Sequence, residues 1–340
     1  MTATLARPDA GGAALRTFLG PLAPLLARPD ITEVSINRPG EAFIDNAGRM
    51  QRVALPELTI EHLLRLASLI AYETHQIVNE ERPLLSAWLP TGQRVQIVLP
   101  PACEAGTVVM SFRRQAEREF SLEDYEAAGM FEHVEVVQDD ALSPEDLLLR
   151  ELLASGRLKD FLRAAVRQRR NIVVSGSTSS GKTTFLNTLL REVPDDERIL
   201  TIEDVRELRP KVPNCAHLLA SKGGQGVARV TIQELLEACL RLRPDRIILG
   251  ELRGGEASSF LHAINSGHPG SLTSVHADSP ALAFERLALM VMQGNEALSR
   301  EQIIAYLRGV VDIVVQVRKL DNRRIVSAVY YKHSATARTY

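Results

Sequence analysis

Apolar and polar positions in the second half of the chain follow a repeating pattern of helices and strands. The stretch "NIVVS" (Asn171 to Ser175) is β-branched and apolar, which is typical of a buried parallel strand. The stretch "TTFLNTLL" (Thr183 to Leu190) has apolar residues at helical spacing. From about Leu152 onward such helices and strands alternate. This alternation predicts an α/β domain built on a parallel sheet.

The first half of the chain shows a different pattern. Short alternating strands are predicted at "ITEVSIN" and "EAFIDN", and two more at "RVQIVLP" and "TVVMSFRR". Between these pairs, "TIEHLLRLASLIAYETHQ" is predicted as a helix, with Thr59 and Glu61 suited to its N-terminus. We therefore predict an α+β domain over residues 1–116 and an α/β domain over 156–340. Residues 117–155 are acidic and weakly periodic, which predicts a long, partly helical linker.

Composition narrows the function classes. The 340 residues are 45% hydrophobic and 24% charged, as in an ordinary globular protein of two domains. Because no apolar run reaches about 18 residues, we expect any membrane contact to be peripheral. Three separated cysteines without a C-x-x-C pair predict reduced thiols, a cytoplasmic location and no zinc site. A net charge of −2 with 5% aromatic residues does not favour a nucleic-acid partner.

A phosphate-binding pattern lies between the predicted strand and helix. The residues from Gly176 to Thr183 match G-x-x-x-x-G-K-[ST]. Unpaired N–H groups and the dipole at a helix N-terminus favour a bound anion. Lys182 is predicted to reach the β- and γ-phosphates of ATP, and the Thr183 hydroxyl to ligate Mg²⁺. The predicted nucleotide-binding residues are Gly176, Ser177, Thr178, Ser179, Ser180, Gly181, Lys182, Thr183 and Thr184.

Three further stretches carry polar groups at or beside predicted strand ends, where ligands bind in open α/β sheets. They are "TIEDVRE", "IILGE" and "GHPGSLTSVH". One carboxylate in such a place is as often a helix cap, and one histidine is often a hydrogen-bonded core residue. Three such stretches in one nucleotide-binding domain favour catalysis. The residues concerned are Glu203, Asp204, Glu207, Glu251, His268 and His276.

In this order the four motifs resemble those of the hexameric traffic ATPases of bacterial secretion and pilus machines. They correspond to Walker A (176–183), the Asp box (201–207), Walker B (247–251) and the His box (267–276). The resemblance implies a RecA-like P-loop ATPase domain behind the α+β domain. Pilus and type II assembly members commonly carry a four-cysteine zinc element, which three scattered cysteines cannot form. The chain therefore looks most like a type IV secretion ATPase, although retraction motors also lack that element.

The resemblance also implies roles for the acidic residues. Glu207 is expected to activate the attacking water, with Glu203 as the alternative, and Glu251 to hold the water or the metal shell. The expected metal-binding residue is Thr183, with Glu203 and Asp204 as further candidates. Together with ATP and Mg²⁺, these residues imply hydrolysis of the terminal phosphate.

Basic residues supply the contacts expected at the γ-phosphate. His276, with His268 as a second candidate, would sense this phosphate. "TGQRVQIVLPP" and "VVMSFRR" resemble family segments that carry arginines to the phosphates. Arg94 and Arg113 would then act from the N-terminal domain as arginine fingers, with Arg114 as the alternative to Arg113.

The implied protein is a homo-hexameric ring at the cytoplasmic face of an inner membrane. Its expected partners are inner-membrane secretion-system components, including a coupling ATPase. Nucleotide would lie between the two domains of each subunit, and Arg253 would couple neighbouring subunits. Three alternatives stay open: a pilus extension or retraction motor, a RecA-like nucleic-acid motor, and a nucleotide switch without turnover. The acidic balance disfavours the second, and Glu207 with Glu251 disfavours the third.

Overall fold

The computed structural model describes residues 10–46, 48–114, 121–132, 134, 142–221, 226–294 and 298–334. The described N-terminal part contains three helices and six strands. They are α1 (Ala10–Leu19), α2 (Ala23–Leu26), β1 (Ile31–Ile36), β2 (Glu41–Asn46), β3 (Arg49–Ala54), α3 (Ile60–Glu73), β4 (Leu84–Trp88), β5 (Gln93–Val98) and β6 (Val109–Arg114).

These six strands form an antiparallel sheet in the order β3-β2-β1-β6-β5-β4. Apolar residues of α1 and α3 pack with one face of this sheet in a single core. The predicted start of α3 is confirmed, because Thr59 accepts a hydrogen bond from the His62 N–H. Simple alternation is not found in β2, whose first five residues are all buried. Its second face is covered as well, by the C-terminal domain.

Two helices lie within the range predicted as a linker, α4 (Leu122–Ala127) and α5 (Pro144–Ala154). Leu149 and Leu152 of α5 are buried in a core of the C-terminal domain. The Asp146 carboxylate of the same helix accepts a hydrogen bond of 2.9 Å from the Tyr331 hydroxyl. Helix α5 therefore packs as part of the second domain.

The C-terminal domain alternates helices and strands as predicted. Its elements are α6 (Leu158–Arg167), β7 (Ile172–Ser175), α7 (Lys182–Leu190), β8 (Ile199–Glu203), β9 (Cys215–Leu219), α8 (Ile232–Cys239), β10 (Arg246–Leu249), α9 (Glu256–Asn265), β11 (Leu272–Val275), α10 (Pro280–Gly294), α11 (Arg300–Val310), β12 (Ile313–Leu320) and β13 (Arg323–Tyr331).

Seven described strands form the second sheet, in the order β13-β12-β7-β11-β10-β8-β9. All neighbours are parallel except β12 and β13. Helices α5, α6 and α7 contribute to the core on one face, and α8 to α11 to the core on the other. This arrangement confirms the α/β prediction. The carboxyl ends of β7, β8, β10 and β11 meet at one edge, where ligands bind in such sheets.

A buried guanidinium joins the opposite edge of this sheet. Arg246, at the start of β10, is fully buried. It donates to both carboxylate oxygens of Glu197, which precedes β8, at 2.5 and 2.8 Å. It also donates to the carbonyl of Val166 in α6 at 2.7 Å and to that of Gly270 before β11 at 3.2 Å. One side chain thus connects the segments that lead into four neighbouring strands.

The N-terminal domain is attached at the β9 edge. Backbone bonds join the Leu219 N–H to the Ala102 carbonyl at 2.8 Å and the Glu104 N–H to the His217 carbonyl at 3.2 Å. A short segment of the first domain thereby extends the second sheet. Since an exposed sheet edge is a ready template for pairing, this contact also protects β9.

Buried polar groups complete the contact between the domains. The fully buried Arg198 guanidinium donates to the side-chain oxygens of Asn37 at 2.8 Å and Asn214 at 2.7 Å. Arg243 pairs with Asp45 at 2.6 Å. Glu33 lies beside this network and is 2% exposed; burial raises its pKa to about 7. In these bonds the first domain contributes Asn37 and Asp45, and the second contributes Arg198 and Arg243.

Two expectations from composition are tested within the described residues. Cys103, Cys215 and Cys239 are buried free thiols. Among the helices described, none is both long enough and apolar enough to span a bilayer.

We predict that Glu197→Gln lowers the free energy of unfolding by about 3 kcal/mol, because it leaves the buried charge of Arg246 without its counter-ion. Urea unfolding followed by circular dichroism measures the loss. Glu192→Gln is the matched control, since Glu192 pairs with the half-exposed Arg163 and should cost less than about 1 kcal/mol. Equal losses in the two variants would contradict the assigned role of Arg246.

We predict that Glu33→Gln stabilises the protein in a pH-dependent way. Its folded-state pKa of about 7 lies above the ordinary 4.5, so the wild-type carboxyl loses folding stability as the pH rises through this window. The amide variant should gain about 1 kcal/mol at pH 5 and about 3 kcal/mol at pH 8. The exposed Glu57→Gln is the control in urea unfolding at both values. A gain independent of pH would refute the assignment.

Candidate active site

The loop between β7 and α7 is shaped by two glycines. Gly181 is the N-cap of α7 and has a φ of 96°, a left-handed conformation that favours glycine. At Gly176 the constraint is space, because a Cβ there would lie 2.5 Å from both the Ser180 Oγ and the Val317 carbonyl oxygen. These two positions explain why the loop can wind closely around the start of α7.

Lys182 extends back across this loop. Its Nζ lies 3.1 Å from the Gly176 carbonyl, 3.3 Å from the Ser177 carbonyl and 3.1 Å from the His276 Nδ1. The Glu251 carboxylate is 3.9 Å away. Burial lowers the pKa of Lys182, and the attraction of Glu251 opposes that shift. The ammonium is therefore held at the centre of the loop by two backbone carbonyls and a histidine ring. A bound anion can replace these neutral acceptors.

Glu251 and His276 meet beside the lysine. The His276 Nε2 lies 2.6 Å from the Glu251 Oε1. Arg253 donates to the other Glu251 oxygen at 2.8 Å and also pairs with Asp204. Charges thus alternate in sign from Asp204 through Arg253 and Glu251 to Lys182. Arg253, predicted to couple subunits, is bound to acidic groups of its own chain.

The carboxylate of Glu203 organises the loop after β8. Its Oε1 accepts the backbone N–H groups of Glu207 and Leu208, both at 2.8 Å. Burial raises the pKa of Glu203, while these two hydrogen bonds oppose the shift. The backbone at Glu207 is therefore fixed by a buried side chain, and the Glu207 side chain is left at the exposed surface of the cavity.

Arg206 connects this loop with the N-terminal domain. Its guanidinium lies 3.8 Å from the Glu203 carboxylate and 3.7 Å from that of Glu104. It also donates to the His217 Nε2 at 2.6 Å. Burial lowers the pKa of His217 to about 3, so its ring remains an acceptor for Arg206 at neutral pH. The sequence motifs did not single out Arg206, because Glu104 and His217 are distant in the chain.

These loops enclose a cavity of about 300 Å³ at the carboxyl edge of the sheet. The predicted residues that line it are Thr178, Ser179, Lys182, Thr183, Glu203, Asp204, Glu207, Glu251 and His276. Ser274, which the sequence did not single out, also lines it and donates to the Gly250 carbonyl at 2.8 Å. A larger cavity of about 700 Å³, between α10, α11 and β13, contains none of the predicted residues.

His268 lies away from this cavity. It precedes β11 and is bound through Nδ1 to the Ala263 carbonyl at 3.0 Å, whereas His276 follows the same strand. The two histidines of the His box therefore lie at opposite ends of β11, and only His276 is at the carboxyl end. In this structure His268 is a hydrogen-bonded structural residue rather than part of the cavity.

The predicted finger arginines lie on the N-terminal sheet, outside the residues that line the cavity. Register aligns Asp45, Glu33, Arg113, Arg94 and Trp88 across five neighbouring strands, a set termed the cross-sheet row. Residues paired in register share one face of a sheet. The acidic half of the row is buried against the C-terminal domain, and the basic half is exposed.

Within this exposed half, the guanidinium of Arg94 lies 4.5 Å from the centroid of the Trp88 ring, in cation–π geometry. Arg114, the alternative to Arg113, donates instead to the backbone carbonyl of Arg28 at 3.1 Å. The structure therefore leaves Arg94 and Arg113, rather than Arg114, facing outward together.

The donors for a magnesium ion are few. Among the described residues, no group of three or more His, Cys, Asp and Glu side chains is arranged to hold a metal. Thr183 lies in the first turn of α7, and the buried Oε2 of Glu203 has no hydrogen-bond partner in the described part. Asp204, the third predicted ligand, is paired with Arg253. Mg²⁺ often uses only one or two protein ligands and completes its shell with phosphates and water.

This chain is similar in sequence to known secretion-system proteins. A family model described as "Type II/IV secretion system protein" matches residues 149–329. The type IV secretion system protein VirB11 of Brucella suis is 46% identical over 310 residues, which cover 90% of this chain and 86% of the relative. The type IV secretion system protein PtlH of Bordetella pertussis is 42% identical over 323 residues, with 93% and 94% covered.

Comparison of three-dimensional structures also relates this chain to a VirB11 protein. The crystal structure of the VirB11 ATPase from the Brucella suis type IV secretion system, in complex with sulphate, superposes with a TM-score of 0.88 at 45% identity. The match covers 94% of this chain and 97% of that one. Similarity therefore extends through both domains.

We predict that Glu203→Ala lowers kcat at least tenfold, because the backbone of Glu207 loses its acceptor, while the Kd for ATP changes less than about threefold. Glu203→Gln keeps an oxygen acceptor and should retain most of the turnover. Steady-state ATPase rates and equilibrium nucleotide binding measure the two quantities. If the amide variant is as inactive as the alanine variant, the charge of Glu203 itself takes part in the reaction.

Proposed function

Because the chain belongs to the VirB11 family of type IV secretion ATPases, we propose that it hydrolyses MgATP as a ring of six subunits. The ring would lie at the cytoplasmic face of an inner membrane and energise secretion. The observation that carries this proposal is the cluster around Lys182, whose ammonium lies within 4 Å of both Glu251 and His276 in one cavity.

Each residue of the cluster has a role in this proposal. The loop and Lys182 bind the phosphates through N–H groups and positive charge. Glu207 accepts a proton from the attacking water, at the position that Glu203 fixes. Glu251 orients that water or the metal shell, and His276 detects the terminal phosphate because its ring lies between Glu251 and Lys182.

A magnesium ion would enter with the nucleotide and neutralise charge on the phosphates. The Thr183 hydroxyl would hold it, and the Glu203 Oε2, which accepts no hydrogen bond and lies 3.8 Å from the Arg206 guanidinium, would contact it directly or through water. Asp204 would take part only by exchanging its pairing with Arg253.

We propose further that Arg94 and Arg113 act on a nucleotide bound to a neighbouring subunit. Buried bonds fix the N-terminal domain at the β9 edge of its own chain, and no described residue of that domain lines its own cavity. The exposed half of the cross-sheet row is then available to the next subunit. A ring supplies this partner to every site and makes turnover depend on assembly.

The ring would interact with other components of a secretion system. Type IV secretion relatives imply inner-membrane components, including a coupling ATPase, as the proteins that receive the motion of the ring. Contact with the membrane would be peripheral. Co-purification with a pilin platform protein instead would favour the pilus motor alternative.

We predict that specific ATPase activity rises with protein concentration as hexamers form. Lys182→Ala should abolish turnover, and Arg113→Ala should lower it at least about a hundredfold with the ring intact, as loss of an arginine finger does. Arg114→Ala is the matched control and should stay within about threefold of the wild type. ATPase rate and molar mass are measured at each concentration. A well-formed oligomer without turnover would overturn the ring motor in favour of a switch.

Mixed rings test the contribution of the neighbour. Lys182→Ala has intact arginines and Arg113→Ala has an intact loop, so subunits mixed in equal amounts should regain activity that neither has alone. No regain after exchange, verified by the mass of the mixed ring, would place the arginines within their own subunit.

A further inference from the structure

The wall on the far side of the phosphate loop is a basic hairpin. Strands β12 and β13 meet at Asp321 and Asn322, both with positive φ. Two cations, Lys319 and Arg324, face each other in register across this hairpin. Valines 317 and 326, two positions further from the tip on the same face, pack in the core shared with α7. This face of the hairpin is therefore directed at α7 and the loop before it.

Arg324 lies directly against the loop. A Cβ on Gly181 would be 2.6 Å from its Cδ and 3.0 Å from its Nε. The neighbouring Val317 carbonyl is equally close to Gly176. The hairpin thus touches the loop at both glycines of the phosphate-binding pattern, and the guanidinium of Arg324 lies beside the N-cap of α7.

Nothing in the described part of the chain neutralises this pair of cations. Neither Lys319 nor Arg324 forms a hydrogen bond or ion pair there, and both are exposed. Like charges directly opposite each other destabilise a hairpin. Two unneutralised cations next to an anion-binding helix terminus form a positive surface that an additional phosphate oxygen would stabilise.

The order of strands indicates which phosphate of a bound nucleotide would lie near Arg324. Glu203, Glu251 and His276 follow β8, β10 and β11, all on one side of β7, and the hairpin lies on the other side. The terminal phosphate must lie near the reacting groups. The opposite end of the nucleotide then extends toward β12 and β13.

We propose that Arg324, supported by Lys319, binds the α-phosphate of the nucleotide. This inference rests on the proposed function, since it requires ATP in the cavity. It makes the hairpin a determinant of affinity for both ATP and ADP, because both carry this phosphate. Contacts to the γ-phosphate, by contrast, distinguish the two nucleotides.

The test compares the two adjacent arginines of β13. Neighbouring residues of a strand point to opposite faces, so Arg323→Gln removes the same charge from the face away from the loop. Dissociation constants for ADP and for a slowly hydrolysed ATP analogue, both with Mg²⁺, are measured by calorimetry. Arg324→Gln should raise both constants about 10- to 100-fold, the equivalent of one charged hydrogen bond, with their ratio unchanged within twofold. Arg323→Gln should stay within twofold, and Arg324→Lys should be intermediate.

Three results would overturn the proposal. One is equal binding by Arg324→Gln and Arg323→Gln, and another is a selective loss of the ATP analogue with ADP unaffected. The third is a melting temperature of the nucleotide-free Arg324→Gln protein several degrees below that of Arg323→Gln, which would make the role structural. Lys182→Ala separates this inference from the proposed function. If that variant binds nucleotide like the wild type, the cavity is not the nucleotide site and the proposed function itself fails.

Discussion

The bonds of Arg246 determine how the site is assembled. This guanidinium ties together the segments that lead into β7, β8, β10 and β11, at the amino edge of the sheet. The same four strands deliver Lys182, Glu203, Glu251 and His276 at the carboxyl edge, after only four or five residues each. A buried charge, costly unless fully paired, is therefore placed where its pairing holds together the four strands that carry these side chains.

The site itself is a balance of charges that are already paired with one another. Asp204, Arg253, Glu251 and Lys182 alternate in sign, with His276 between the last two. Such a set keeps each ionic group from lying buried and alone in a cavity of about 300 Å³. A phosphate introduces new negative charge and competes for Lys182 and Arg253. Binding therefore rearranges existing ion pairs, which links the presence of nucleotide to the loops on which these residues lie.

Much of this architecture could be predicted from the sequence, because its signals are local. The phosphate loop, its flanking strand and helix, and Glu251 after β10 are each specified within about ten residues. Relations between distant segments left no such signal. The proximity of Arg324 to Gly181, the row that joins Glu33 to Arg94, and the bridge of Arg206 to Glu104 all depend on tertiary packing. His268 illustrates the limit of a motif, since a ten-residue signature extended to both ends of a four-residue strand.

Arg206 couples the N-terminal domain electrostatically to the loop after β8. Its one guanidinium lies between Glu104 of the N-terminal domain and Glu203, the acceptor that holds the loop after β8. A tilt of the first domain that withdraws Glu104 changes the electrostatic surroundings of Glu203. Equally, a ligand that draws on Glu203 changes how firmly Glu104 is held. Linkage requires these two effects to be equal in free energy. Through Arg206, the position of Glu104 and the charge on Glu203 are therefore coupled in both directions.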